Sequence, residues 1–207
     1  MADIDGDSWV QDEVLDPNAN AVSGSVTAIS KEANSMLVAW ISMDEALEVA
    51  RYENGNWVKT QVLAPGNMAK NTKIDALSCS PTMMNLFFVG TDLLVYQSYW
   101  KQGMPNDKWV TTLLSKFPAA LGGISATSMN RDHMEVFWTS PAGALYHAYW
   151  TLAQGHWISE TVPGSVGLNR CQGGSHITTV ARKGKSSMEG WCRSVEGKLA
   201  HFYYYAN

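Results

Sequence analysis

The feature that most constrains this chain is an internal repeat. Four tryptophans recur at intervals of about 50 residues, and each opens a similar segment, such as Trp57-Val-Lys-Thr-Gln-Val62. The four are Trp9, Trp57, Trp109 and Trp157. Three further landmarks follow in the same order, beginning at Val26, Ile74, Ile124 and Ile177, at Met36, Met84, Met134 and Met188, and at Leu47, Val95, Leu145 and Leu199. Such a chain is expected to fold as four copies of one supersecondary unit.

Each landmark starts a run of about five residues rich in Val, Ile, Thr, Trp and Tyr, which favours a β-strand. Turn residues separate the runs, as in Glu53-Asn54-Gly55-Asn56. No segment of helix length carries a helical apolar period. The sequence therefore predicts an all-β fold in which four antiparallel strands form a unit the size of one propeller blade. We label the strands a, b, c and d, where d begins with the repeated tryptophan.

The order of the strands predicts how the repeats close. The first strand, residues 9–15, is of type d, and the last, residues 199–204, is of type c. If these two strands pair, residues 1–207 form a single domain that is a closed four-bladed β-propeller without free edges. Assembly from several chains, or four blades as part of a longer ring, is the alternative.

The repeated aromatic and sulfur side chains are expected to build the core. The tryptophans that open strand d should pack one blade on the next, because an aromatic ring buries a large area. The methionines that open strand b share one repeat position and should fill gaps in the same core. These methionines are Met36, Met84, Met134 and Met188.

Composition excludes several classes of partner. The net charge is −4 and the pI about 5.7, so the chain has no basic stripe with which to bind nucleic acid. No run approaches the roughly 18 apolar residues of a membrane span. The acidic start of the sequence lacks the apolar segment of a signal peptide. Neither membrane insertion nor nucleic-acid binding is expected.

The spacing of cysteine and histidine indicates neither disulfides nor a metal site. The three cysteines are scattered, which favours a reducing, cytoplasmic location. They are Cys79, Cys171 and Cys192. The five histidines form no short ligand pair, and no phosphate loop or nucleophile elbow is present. We expect no cofactor and no metal, and the sequence indicates no catalytic residue.

The third repeat resembles a known family. Residues 124–150, which run from Ile124-Ser-Ala-Thr-Ser to Leu145-Tyr-His-Ala-Tyr-Trp150, resemble one blade of the fungal fucose-specific lectins of the Aleuria type and of their Photorhabdus-type bacterial relatives. The other repeats fit more loosely, so the resemblance covers nearly the whole chain. It implies a carbohydrate-binding propeller with pockets between neighbouring blades. The family has six or seven blades, against four repeats here.

The residues that hold the sugar in that family do not carry over. In the fungal branch, an Arg on strand b and a Glu on strand c hold the sugar hydroxyls above an aromatic ring. The strand b position here is Leu37, Asn85, Glu135 and Glu189, and the strand c position is Val49, Gln97, His147 and His201. The resemblance therefore implies a lectin without the Arg/Glu fucose grip. The predicted ligand-binding residues are Gln97, Trp100, His147 and Trp150.

A second hypothesis belongs to another class of function. The chain would be a small-molecule binding protein or a biosynthetic enzyme on a lectin-like propeller, for example a hetero-Diels–Alder pericyclase. The d–a and b–c loops are expected to gather at one mouth of the central channel, where Arg170, Arg193 and Glu196 would form a funnel site. A bare interaction scaffold is a third class. The expected partner is a glycan or a small apolar molecule, and enzymatic activity and homo-oligomerisation stay open.

Overall fold

The computed structural model describes residues 20–163, 171–182 and 187–205, whose strands form four antiparallel sheets in chain order. Sheet 1 contains β1 (Thr27–Glu32), β2 (Ser35–Ile41), β3 (Leu47–Glu53) and β4 (Asn56–Leu63). Sheet 2 contains β5 (Asp75–Ser80), β6 (Met83–Val89), β7 (Val95–Lys101) and β8 (Val110–Ser115). Sheet 3 contains β9 (Ile124–Asn130), β10 (His133–Thr139), β11 (Leu145–Thr151) and β12 (Trp157–Thr161). Sheet 4 contains β13 (Ile177–Ala181), β14 (Ser187–Arg193) and β15 (Leu199–Tyr205).

This order confirms the prediction of an all-β fold built from repeated units. In sheets 1 to 3, strands a, b, c and d are successive neighbours. Within the described ranges, the helical structure is a 3₁₀ turn at Pro105–Asp107. Sheet 4 contains strands of types a, b and c. Residues 9–15, which are predicted to complete it along residues 199–204, lie outside the described residues, so this pairing stays a prediction.

Strand alternation gives every sheet two faces with different neighbours. In β11, Leu145 packs in the core that sheet 3 shares with sheet 4. Tyr146 and Ala148 pack in the core that sheet 3 shares with sheet 2. We call the face towards the following sheet the trailing face, and the face towards the preceding sheet the leading face. The alternation decides which residues of one strand can share a site.

Three apolar cores lie between successive sheets, and two of them contain one of the repeated tryptophans each. The first core includes Trp109 and the second is lined by Trp157, which confirms for these two residues that strand d packs one unit on the next. Trp57 is 37% exposed on the leading face of sheet 1. The packing prediction is wrong for Trp57, because no preceding sheet covers this face among the described residues, and Trp9 lies outside them.

The a strands of the four sheets, β1, β5, β9 and β13, also lie against one another in chain order. β1 contacts β5, β5 contacts β9, and β9 contacts β13, whereas no contact of that extent joins β13 to β1 within the described part of the chain. The carboxylate of Asp75 on β5 accepts the backbone N–H of Ala126 on β9 at 2.7 Å. The hydroxyl oxygens of Ser125 and Thr179, 2.9 Å apart, join β9 to β13. Burial raises the pKa of Asp75, as expected for a carboxyl group in this seam.

The methionine prediction holds for three residues and fails for the fourth. Met84, Met134 and Met188 are 1, 1 and 2% exposed. Met36 is 42% exposed, so the prediction that it fills the core is wrong. The physical reason is that Met36 lies on the leading face of sheet 1, which no preceding sheet covers among the described residues.

Two cysteines correct the sequence analysis. Cys171 and Cys192 form a disulfide, with their Cα atoms 5.7 Å apart. The expectation that the scattered cysteines stay unpaired is wrong for this pair, because the fold brings the loop before β13 against β14. Cys79 is the free cysteine of the described residues. Disulfides persist in oxidising compartments, which opposes the reducing location expected from the sequence.

Reduction of the disulfide should lower the stability of the protein. The bond joins residues separated by 21 positions, and closing such a loop is worth about 3 kcal/mol through the unfolded chain. We expect urea unfolding in dithiothreitol to give a free energy of unfolding lower by about 2–4 kcal/mol. Cys192→Ser should reproduce this loss without reductant, and Cys79→Ser is the matched control. An unfolding midpoint that reductant leaves unchanged would contradict the stabilising role.

Candidate functional site

The strand b and strand c positions predicted to face a ligand lie side by side on the trailing face of each sheet. Asn85 on β6 and Gln97 on β7 lie on the same face of two paired strands. Glu135 on β10 and His147 on β11 are related in the same way. Each polar pair therefore faces the next sheet. What the next sheet places opposite the pair decides whether a ligand can enter.

Between sheets 2 and 3 the polar pair is closed by protein. Gln97, 3% exposed, donates from Nε2 to Asn85 Oδ1 at 2.7 Å. Its Oε1 accepts the indole N–H of Trp157 at 2.8 Å, and the Trp157 ring meets Phe87 edge-on with centroids 5.7 Å apart. The amide of Asn85 donates to the carbonyl of Leu77 at 3.2 Å. These amides are thus bonded within the protein.

Between sheets 1 and 2 the strand b and strand c positions that carry the polar pair elsewhere are apolar and buried. A tryptophan of sheet 2 fills the same interface. Trp100, 5% exposed, belongs to the core of this interface. Its indole N–H donates to Asp107, which also pairs with Arg51. The ammonium of Lys31 and the guanidinium of Arg51 lie 4.8 and 5.1 Å from the Trp100 ring centroid. This ring is covered on its face by cations of sheet 1.

Between sheets 3 and 4 a cavity of about 370 Å³ borders the polar pair. Its lining combines the pair with aromatic and apolar side chains. The lining residues are Glu135, Phe137, His147, Val162, Pro163, Met188, Glu189, Phe202, Tyr203, Tyr204 and Tyr205. Phe137 and His147 occupy the repeat positions of Phe87 and Gln97, so the cavity lies where Trp157 enters the preceding interface.

One glycine shapes the wall of this cavity. Gly190 on β14 is the strand partner of Phe202 on β15. A Cβ atom at Gly190 would lie 2.1 Å from Cζ of Phe202, so the ring can cross the strand because this position has no side chain. The Phe202 ring then stands 5.3 Å from the Phe137 ring, centroid to centroid. The two rings form an apolar surface beside the polar pair.

The polar pair of the cavity is ionisable. His147 Nδ1 contacts the carboxylate of Glu135, and its Nε2 lies 3.3 Å from Glu160. That nitrogen has no hydrogen-bond partner within the described part of the chain. On the other side, His133 Nε2 lies 3.6 Å from the Glu135 carboxylate. Burial, together with the nearby His147, lowers the pKa of His133.

The four residues predicted to bind a sugar fall in three different interfaces. Trp100 lies between sheets 1 and 2, and Gln97 lies between sheets 2 and 3. Trp150, half-buried, is the strand partner of Trp157 and shares its leading face. His147 lies between sheets 3 and 4. Because residues three apart in a strand point to opposite faces, Gln97 does not share a pocket with Trp100, nor His147 with Trp150.

The structure describes two of the three residues predicted for the alternative funnel site. Arg170 lies outside the described residues. Arg193 is exposed at the end of β14, beside an open groove of about 600 Å³ that Trp191 and His176 also border. Glu196 pairs with Lys198 at 3.0 Å on the surface. Among the residues that the structure describes, no group of three His, Cys, Asp or Glu could hold a metal, and no helix is long and apolar enough to cross a membrane.

Sequence reasoning missed several residues of the cavity. Glu135 stood in the repeat alignment as the strand b residue, but its position beside His147 was not used. Phe137 lies two residues further along the same strand and therefore faces the same way. These two could have been found from strand alternation. Phe202 and Tyr204 could not, because they come from another repeat.

Acid should destabilise the protein through His133. A buried histidine with a lowered pKa resists protonation in the folded state, and at neutral pH it is uncharged in both states and costs no stability. Below about pH 6.5 the unfolded histidine takes up a proton more readily than the folded one, which lowers the free energy of unfolding. We expect the free energy of unfolding to decrease between pH 7 and pH 5, and His133→Gln to reduce that decrease. His176, whose pKa burial and Lys73 also lower, accounts for a further part; an equal pH slope in His133→Gln would contradict this assignment.

Solved structures share the fold of this chain, although no family profile and no curated protein matches its sequence. AofleA from Arthrobotrys oligospora aligns with a TM-score of 0.72 at 20% identity, over 91% of this chain and 56% of its own. The BP39L lectin from Burkholderia pseudomallei gives 0.72 and 20%, over 90 and 53%. The Aleuria aurantia lectin, a six-bladed β-propeller with a fucose recognition mode, gives 0.65 and 17%, over 87 and 58%.

These neighbours include the Aleuria-type lectin that the third repeat resembles, so the resemblance is confirmed at the level of the fold. The chain spans little more than half the length of each of these three structures. Its four sheets are therefore arranged as successive sheets of a propeller lectin. The closed four-bladed ring stays a prediction.

Proposed function

We propose that this protein is a carbohydrate-binding lectin whose sugar site is the cavity between sheets 3 and 4. The observation that carries the proposal is the Glu135–His147 pair, which borders a cavity together with aromatic side chains. A volume of about 370 Å³ lies in the range of small-molecule pockets. The shared fold with propeller lectins supports the same class of ligand.

The side chains of the cavity match the chemistry of a neutral saccharide. A sugar presents hydroxyl groups on its edges and C–H groups on its faces. The Glu135 carboxylate accepts hydroxyl donors, and the His147 imidazole, whose two nitrogens face the Glu135 and Glu160 carboxylates, adds a polar ring to the same wall. Phe137 and Phe202 supply an apolar surface for the C–H face. Orientation and affinity would thus come from different walls of one cavity.

The described residues that line the cavity include no arginine, which distinguishes them from the fucose grip described above. Glu135 stands at the strand b position, where that grip has its Arg, and His147 at the strand c position, where it has its Glu. The acid thus stands on strand b instead of strand c, and an imidazole takes its place on strand c. We propose a specificity for neutral sugars other than that set by an Arg/Glu pair, so fucose need not be the preferred ligand.

A strand of residues 9–15 would complete the site. β15 has no partner on its outer side among the described strands, and it carries Tyr204 of the cavity wall. Residues 9–15 have the pattern of strand d, whose place is beside strand c. This is the strand pairing predicted from the sequence, and it can form within one chain or with a second copy.

Substitution of the polar pair should abolish most sugar binding. Each hydrogen bond to a charged group contributes about 1.5–3 kcal/mol, so Glu135→Gln and His147→Ala should each raise the dissociation constant about tenfold to a hundredfold. The measurement is a glycan array, followed by calorimetric titration with the best methyl glycoside. His156→Ala, on an exposed histidine, is the control and should bind as the parent does. Parent protein that binds no glycan, or unchanged affinity in both cavity variants, would contradict the proposal.

A further inference from the structure

The trailing face of sheet 4 exposes a side chain that every other sheet buries. Leu199 is 76% exposed. Its equivalents at the start of strand c, Leu47, Val95 and Leu145, are 0, 0 and 3% exposed because the following sheet covers them. A leucine at this position is therefore an interface residue whose partner is missing from the described structure.

The leading face of sheet 1 is the complementary half of the same interface. Met36 is 42% exposed, against 1 and 1% for Met84 and Met134. Trp57 is 37% exposed, against 7% for Trp109. The inner part of this face is already covered, since Trp40 is 4% exposed. The free part is the row of Met36, Tyr52 and Trp57, which are lateral neighbours on β2, β3 and β4.

The internal interfaces show how such a row docks. In sheet 3 the same row is Met134, Trp150 and Trp157. It packs against the trailing face of sheet 2, where Trp157 meets the ring of Phe87 and donates to Gln97. A receiving face therefore needs an aromatic ring at the position of Phe87 and a hydrogen-bonding group at the position of Gln97.

Sheet 4 presents both groups without an occupant. Trp191 stands at the position of Phe87 and His201 at that of Gln97, with their ring centroids 5.2 Å apart. The Tyr203 ring continues the row, 5.6 Å from His201. The side chain of His201 is 43% exposed, and Tyr203 is 64% exposed. The receiving face is thus formed and open.

We propose that sheet 1 of a second copy of this chain docks on the trailing face of sheet 4. In this head-to-tail contact, Trp57 of one copy lies beside Trp191 and His201 of the other, as Trp157 lies beside Phe87 and Gln97. Within the described ranges, the a strands β13 and β1 lack the extended contact that joins β1 to β5, β5 to β9 and β9 to β13, so the two faces are not packed there as successive sheets are.

A contact between unlike faces can be tested with two variants that each block one face. Leu199→Glu places a charge on the receiving face, and Met36→Glu places one on the docking row; both positions are exposed. Light scattering after size exclusion should show that the parent forms multiples of the 22.7 kDa chain, whereas each variant alone has the mass of one chain. Mixing the two variants should give twice the chain mass and no larger species, because one intact face of each kind remains.

The control separates docking from a general effect of added charge. Leu152→Glu changes a leucine that is 64% exposed in the turn after β11, and it should assemble as the parent does. Circular dichroism of each variant checks that the sheets are formed. A parent that stays at the mass of one chain over a wide concentration range would overturn the proposal and favour closure within the chain. Two variants that remain single chains after mixing would overturn it as well.

Discussion

The packing of one strand d side chain between successive sheets determines where this chain can hold a ligand. Trp157 enters between sheets 2 and 3, meets Phe87 and donates to Gln97, and this interface is closed. Between sheets 3 and 4, the equivalent positions Phe137 and His147 border a cavity instead. The same repeat position is thus core in one interface and borders a cavity in the next, where the strand d predicted for the following sheet, residues 9–15, lies outside the described residues.

Charge distinguishes the open interface from the closed one. The side-chain amides of Asn85 and Gln97 form hydrogen bonds to each other and to neighbouring groups, so these hydrogen-bonding atoms already have partners within the protein. A carboxylate has about four acceptor positions, and Glu135 shares its oxygens with the imidazoles of His147 and His133. A buried carboxylate of this kind retains capacity for hydroxyl donors. This is why the described chemistry favours a polyhydroxylated ligand over an apolar one.

The sequence predicts the strands and their order because turn residues and landmarks recur in every repeat. It also contains the alternation that separates His147 from Trp150, so the division of the predicted site among interfaces could have been foreseen. The cavity could not, since it depends on Phe202 crossing Gly190 in another repeat. The disulfide likewise depends on the tertiary approach of Cys171 to Cys192. Local pattern predicts elements, and contacts between repeats require the fold.

The central claim is that the interface between sheets 3 and 4 is the sugar site. The most direct measurement is a crystal structure of the protein with the methyl glycoside that binds it best. The account predicts one sugar ring in the cavity, with hydroxyl groups within hydrogen-bond distance of Glu135 and His147 and its C–H face against Phe137 or Phe202. A sugar bound instead beside Trp150, or in the groove beside Arg193, with the cavity empty, would contradict the account.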